Sequence, residues 1–222
     1  VYRVIQHFYI LMTTNQAIFF AIPKGRIQVK ILPILAKIGI EIEKDFFNPD
    51  TRKLIFSTNI KNLNIVQTRS FDVASFIASG KVDIGICGLD VIEECPNDQI
   101  LRLKNLNIGK CRLSLAGKAS DNLSSFSTHL KIATKYPLVS RTLLKQKGYQ
   151  VETFKLNGAI ELASHLGISD FIVDLVSSGS TLKANNLEEK EILMQISSYL
   201  IVNKISYQTK FDNIKSIIDK LV

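Results

Sequence analysis

Between Leu130 and Asn186 the chain alternates three times between a short apolar run and a segment with helical spacing. "LKIATK" precedes "PLVSRTLLKQKG", "YQVETFKL" precedes "GAIELASHLG", and "DFIVDLV" precedes "STLKANN". Apolar runs of this length match buried strands, while Pro137 and Gly148 punctuate the first helical segment at its start and end. Repeated strand–helix–strand units imply a largely parallel sheet covered by helices, and so an α/β fold.

The first half carries the same signals less regularly. "AIFFAIP" (17–23) predicts a buried strand, and apolar residues at 27, 31, 34, 35 and 38 predict a helix over 25–39. Pro33 inside that helix predicts a kink or a break. "RKLIFST" (52–58) and "LNIVQT" (63–68) predict two strands joined by a polar turn. "SFDVASFIASG" (70–80) predicts a helix with Ser70 as N-cap and Gly80 at its end, followed by the strand "VDIGICG" (82–88). "CRLSLAG" (111–117) predicts another strand, 191–203 a long strand, and 210–222 an amphipathic helix. The expected organisation is a discontinuous first α/β domain from 12–108 plus 197–222, with a second α/β domain at 109–196 inserted into it.

Composition excludes several classes. Hydrophobic residues make up 46% of the chain, enough for a sizeable core, and no apolar run reaches the ~20 residues needed to span a bilayer. The 28 Lys and Arg against 20 Asp and Glu give a net charge of +8, which favours anionic partners. Those partners are nucleic acid, an anionic membrane surface or phosphorylated small molecules; the lysines form no concentrated stripe, which weakens the nucleic-acid reading, and a solvated surface accounts for most of them. An odd count of three cysteines without C-x-x-C spacing fits reduced thiols in the cytoplasm, and no His–Cys spacing marks a metal site. The first eleven residues, "VYRVIQHFYIL", precede Met12 and lack the basic start, long apolar core and cleavage site of a secretory signal. The expectation is that Met12 is the native start and that 1–11 are an upstream extension.

Polar clusters fall just past predicted strands, the edge where ligands of open α/β sheets collect. After the strand at 170–176 come Ser177, Ser178, Gly179, Ser180 and Thr181. Small residues turning into a helix can present backbone N–H groups and hydroxyls to a phosphate. Asp174, near that strand's end, has the position to accept bonds from sugar hydroxyls. Spacing alone leaves a phosphate cradle and an ordinary capped turn equally open. Lys24, Gly25 and Arg26 follow the strand at 17–23, Arg69 follows the one at 63–68, and Gly88 and Asp90 follow the one at 82–88. Glu161 lies in the first turn of the helix at 158–167, where a carboxylate is also favourable for the helix alone. No nucleophile–base pair or metal cluster stands out.

Taken in order, "AIPKGRI", "NPD" followed by "RKLIF", R-x-FDV, G-x-VDIGI-x-G-x-D, "LNIGKCRL", "KIATKYP", "KLNGAIELA" and "DFIVDLVSSGSTLKANNL" resemble ATP phosphoribosyltransferase, in its short form, from about Ala17 to Asn203. The resemblance implies two α/β domains facing a cleft, similar to periplasmic solute-binding proteins. It implies transfer of the phosphoribosyl group of phosphoribosyl pyrophosphate (PRPP) to N1 of ATP, with inversion, at the first step of histidine biosynthesis. Magnesium would accompany the substrates. Carried over, Ser177, Ser178, Gly179, Ser180 and Thr181 would hold the 5′-phosphate of PRPP, and Glu161 and Asp174 its ribose. Lys24, Gly25, Arg26 and Arg69 would meet pyrophosphate or ATP, with Asp90 on the nucleotide side. The short form implies a hetero-oligomer with a regulatory subunit resembling histidyl-tRNA synthetase, and weak inhibition of the isolated chain by histidine. Ser178 stands where many relatives carry Thr, which keeps the hydroxyl. Leu175 stands where purine-salvage phosphoribosyltransferases carry a second acid, which separates the chain from that alternative. A non-catalytic solute-binding protein of the same architecture is the other alternative, and it calls for a secretion signal.

Overall fold

The computed structural model describes residues 17–123 and 129–221. The expected start at Met12 and the extension before it lie outside the described residues. In chain order the strands are β1 (Ile18–Pro23), β2 (Ile55–Ser57), β3 (Leu63–Thr68), β4 (Ile84–Gly88), β5 (Ile100–Asn105) and β6 (Cys111–Lys118). There follow β7 (His129–Thr134), β8 (Gln150–Lys155), β9 (Phe171–Val176), β10 (Leu187–Ile196) and β11 (Ser198–Asn203). The chain divides into two compact units, one from residues up to 88, 95–109 and 198 onwards, the other from 89–94 and 110–197.

The first unit has a six-stranded sheet in the order β2-β3-β1-β4-β11-β5. β1 sits among the central strands because Phe20, Ala21 and Ile22 are all fully buried, which suits a strand covered on both faces. It pairs in parallel with β3 and β4, while β2, β11 and β5 pair antiparallel with their neighbours. Helix Arg26–Lys37 buries Ile31 and Leu35, one turn apart, and helix Phe211–Leu221 buries Ile214 and Ile217; all four join the core formed by Phe20, Ile65, Ile84 and Val202. The helix does not break at Pro33, which lies on its exposed side, where water can satisfy the carbonyl that loses its partner. Arg69, not Ser70, occupies the N-cap position of helix Ser70–Ala78, with no side-chain cap.

A buried carboxylate ties the ends of this unit together. Asp83, 1% exposed, accepts hydrogen bonds from the Phe19 N–H at 2.9 Å and from Lys210 Nζ at 2.9 Å. Lys210 Nζ also donates to the Ala17 carbonyl at 2.9 Å. One lysine therefore fixes the start of β1 and the turn into the last helix.

The second unit has a five-stranded sheet in the order β10-β6-β9-β7-β8. β9, β7 and β8 run parallel, whereas β6 and β10 are antiparallel additions. The expectation of largely parallel sheets is thus corrected to mixed sheets, each with three neighbouring parallel strands, inside the first sheet and at one side of the second. The predicted strand at 191–203 is in fact two strands in two sheets, β10 and β11, separated at Ser197. No Gly or Pro marks that change of sheet, so the apolar pattern runs through it. The predicted helix at 158–167 shrinks to Glu161–His165, because Ala159 adopts a left-handed φ of 49° that no helix continues through. Helix Leu89–Glu94 groups with this unit rather than with the expected first domain. Its Glu94 carboxylate accepts the Leu138 and Val139 N–H groups at 3.2 and 3.0 Å, capping helix Pro137–Gln146 from outside. No helix among the described residues is long and apolar enough to cross a membrane.

Removing the cation from the Asp83 pair leaves a buried carboxylate without its counter-charge. Lys210→Met is expected to lower the unfolding free energy by about 3 kcal/mol. Chemical denaturation measures this, and an unchanged midpoint would contradict the role assigned to the pair.

Candidate active site

In the second unit, the parallel run of β7, β8 and β9 sends the loops after all three to one edge of the sheet. After β9 the chain turns through Ser177, Ser178 and Gly179 into the short helix Ser180–Ala184. Gly179 has φ 80° and ψ 4°, the left-handed conformation that favours glycine. A Cβ there would meet only Val176, at 3.9 Å, so the backbone angle and not space requires the glycine. Ser178 Oγ lies 2.9 Å from Ser180 Oγ and accepts the Ser180 N–H at 3.3 Å. Buried Leu182 anchors the helix, while Ser177, Ser178, Ser180 and Thr181 stay exposed. With no acid in the helix's first turn, this concave run of hydroxyls and N–H groups is suited to an anion.

Beside it lies a group of ionisable side chains. Asp174, half-buried, stands opposite Ser114 across the β6–β9 pairing and accepts the Leu175 N–H at 2.8 Å. Burial pushes its carboxyl up, and the charges of Glu161 and Asp90 act in the same direction, against the Leu175 N–H and Lys135. Asp90 is 5% exposed; burial raises its carboxyl too, opposed by a hydrogen bond from the Tyr136 hydroxyl and by the N–H groups of Asp90 itself and Val91. Burial, with Asp90 alongside, pushes the Tyr136 hydroxyl far up, so it stays a hydrogen-bond donor. Asp90 therefore stands near Asp174 and Glu161 in this unit. Lys135 and Tyr136 were absent from the expected set, although "KYP" follows β7 just as the other clusters follow their strands.

The first unit presents a contrasting edge. Pro23 of β1 pairs with Thr68 of β3, and the Lys24 N–H donates to the Thr68 carbonyl at 2.8 Å. This brings Lys24, Gly25 and Arg26 to the same edge as Arg69, and all three cations are exposed. Gly25, with φ 100° and ψ −145°, turns the chain into helix Arg26–Lys37, whose start has no side-chain cap and no acid in its first turn. A cleft of about 340 Å³ opens beside Lys24, lined by Gln28, Phe46, Phe47 and the 6%-exposed Gln67, whose amide donates to Gln28 at 3.3 Å. Exposed cations beside uncapped helix N–H groups can take phosphate oxygens.

Two mixed α/β units with polar loops at the strand ends define a class that also includes the periplasmic VFT2 domain of Bordetella pertussis BvgS. That structure has a TM-score of 0.54 at 12% identity, covering 97% of this chain and 94% of that one, a likeness of fold alone. The family model HisG, ATP phosphoribosyltransferase, matches residues 69–222. The ATP phosphoribosyltransferase of Sphingopyxis alaskensis is 41% identical over 206 residues, spanning 92% of each chain. That of Paramagnetospirillum magneticum is 44% identical over 205 residues, spanning 90% of this chain and 93% of its own. Among solved structures, the ATP phosphoribosyl transferase (HisG:HisZ) complex from Thermotoga maritima superposes with a TM-score of 0.78 at 32% identity, covering 92% of this chain and 96% of that one. The chain belongs to the ATP phosphoribosyltransferase family.

Asp174 holds its proton to higher pH in the folded chain than in the unfolded one. From about pH 3.9, the ordinary Asp value, up to its raised folded value, the folded state binds more protons, so stability falls as pH rises through that window. Asp174→Asn removes this loss. Its thermal midpoint is expected above that of the parent at pH 7, with the gain vanishing as the pH drops below about 3.9. A variant less stable than the parent at pH 7 would contradict the electrostatic picture.

Proposed function

We propose that this chain transfers the 5-phosphoribosyl group of PRPP to N1 of ATP, giving N1-(5-phosphoribosyl)-ATP and pyrophosphate, the first step of L-histidine biosynthesis. The observation that carries this reading is the exposed turn Ser177–Thr181 with Asp174 and Glu161 beside it, in a chain of this family. In the reaction the N1 lone pair forms a bond to C1 of the ribose as the C1–O bond to pyrophosphate breaks, and that electron pair leaves with pyrophosphate. Such a step needs alignment and charge stabilisation more than a reactive side chain.

In this reading Ser177, Ser178, Gly179, Ser180 and Thr181 seat the 5′-phosphate through hydroxyls and backbone N–H groups. Asp174 and Glu161 accept the ribose hydroxyls; donors there relieve the unfavourable burial of the Asp174 charge. Lys24 and Arg26, with Arg69, meet the pyrophosphate or the ATP phosphates, and Gly25 lets the backbone approach them. Asp90 acts through Tyr136, fixing the loop after β7 at the same edge. Magnesium enters as part of the substrates, chelated by phosphate oxygens and water. Among the described residues no three His, Cys, Asp or Glu side chains gather into a group that could hold a metal ion. The chemistry of magnesium there is to neutralise the leaving pyrophosphate.

The likeness to the Thermotoga maritima HisG:HisZ complex supports work in a hetero-oligomer with a regulatory partner, and in this reading that partner is a subunit resembling histidyl-tRNA synthetase. Asp174→Asn, assayed with that partner by the absorbance of phosphoribosyl-ATP, is expected to lower kcat/KM for PRPP about tenfold or more. The KM for ATP is expected to stay within about threefold. Unchanged PRPP kinetics would overturn the assignment of Asp174.

A further inference from the structure

A charged side chain outside the expected set reaches the phosphate-loop candidate from the neighbouring strand. Arg112, near the start of β6, donates through Nε to Glu189 Oε1 at 2.6 Å and through Nη2 to Glu189 Oε2 at 2.5 Å. Its remaining nitrogen, Nη1, donates to the Ser177 carbonyl at 3.1 Å. Glu189 is held in turn by the fully buried Ser114, whose hydroxyl donates to Oε1 at 2.8 Å. The carboxylate stands on β10 where the pairing with β6 slips between Glu189 and Glu191, an irregularity of the kind that re-aims a side chain.

The chemistry of this cluster separates two roles. A guanidinium with three of its five N–H groups engaged, beside a carboxylate that neutralises it, is a weakened phosphate ligand. It is well placed to hold a carbonyl. The Ser177 carbonyl and the Ser178 N–H belong to one trans peptide and point in opposite directions. Fixing the carbonyl towards Arg112 therefore turns the Ser178 N–H away from Arg112.

We propose that Arg112, clamped by Glu189 and Ser114, is a positioning residue for PRPP: it sets the Ser177–Ser178 peptide plane so that the loop's N–H groups are pre-aimed at the 5′-phosphate. The proposal rests on the reading of Ser177–Thr181 as the seat of that phosphate. It extends the site to β10, because Glu189 governs the loop through Arg112. It also fixes the sign of a substitution: removing Glu189 harms PRPP binding, although it removes a negative charge from the neighbourhood of an anion.

Calorimetric titration of the full chain with PRPP and Mg²⁺ tests this. Arg112→Ala and Glu189→Ala are each expected to weaken PRPP binding about tenfold or more, with the double variant no weaker than the worse single one. Arg112→Lys, which keeps the charge but cannot grip the carboxylate and the carbonyl together, is expected to weaken binding as Arg112→Ala does. Thermal unfolding of each variant checks the fold, and loss of stability with parental PRPP affinity would reduce the cluster to a structural role. Unchanged or tighter binding in Glu189→Ala would overturn positioning in favour of direct attraction by Arg112. Gly179→Val, which cannot keep the loop's backbone angle, separates the two levels. Weak binding in it alone overturns the role of Arg112, whereas parental binding in it overturns the reading of the loop and the proposal with it.

Discussion

The direction of three strands governs the candidate site. β7, β8 and β9 run parallel, so Lys135 and Tyr136, the segment leading to Glu161, and Ser177–Thr181 all emerge at one edge of a single sheet. β6 runs the other way, and so its first residues, Cys111 and Arg112, start at that edge. Reversing any one of these strands would carry its loop to the opposite side. No contact within the site could compensate, because the loop after β9 is only a few residues long.

On that frame each unit handles charge differently. The first buries one carboxylate, Asp83, and satisfies it with a lysine and a backbone N–H, which is the condition for keeping a charge in a core. Its exposed strand ends carry cations next to uncapped helix N–H groups. The second unit keeps Asp90 and Asp174 against their ordinary tendency, with burial raising both and Tyr136 and Lys135 opposing it. Carboxylates held in such an unfavourable state tend to mark functional sites.

Much of this was legible in the sequence, for identifiable reasons. The strand–helix alternation from 130 onwards survives because each element has its own punctuation, such as Pro137 and Gly148, and the glycines at 25 and 179 stand where the backbone needs a positive φ. Elements failed where punctuation was missing or misleading. The run at 191–203 hides a change of sheet at Ser197 because two adjoining strands share one apolar pattern. "GAIELASHLG" has helical spacing, but Ala159 turns left-handed before the helix begins. At Asp90 the chain changes unit without punctuation: its strand, β4, belongs to the first unit, while its helix packs with the second. Arg112 and Glu189 were invisible for a more general reason: 77 residues separate them, and only the β6–β10 pairing brings them together.

The central claim is that the turn after β9 seats the 5′-phosphate while the carboxylates beside it hold the ribose. A crystal structure of the chain with PRPP and Mg²⁺ bound tests it most directly. The account predicts phosphate oxygens about 3 Å from backbone nitrogens of residues 178–181, with ribose hydroxyls on Asp174 and Glu161. A 5′-phosphate bound at Lys24, Arg26 and Arg69 instead, with the turn after β9 left to solvent, would contradict it.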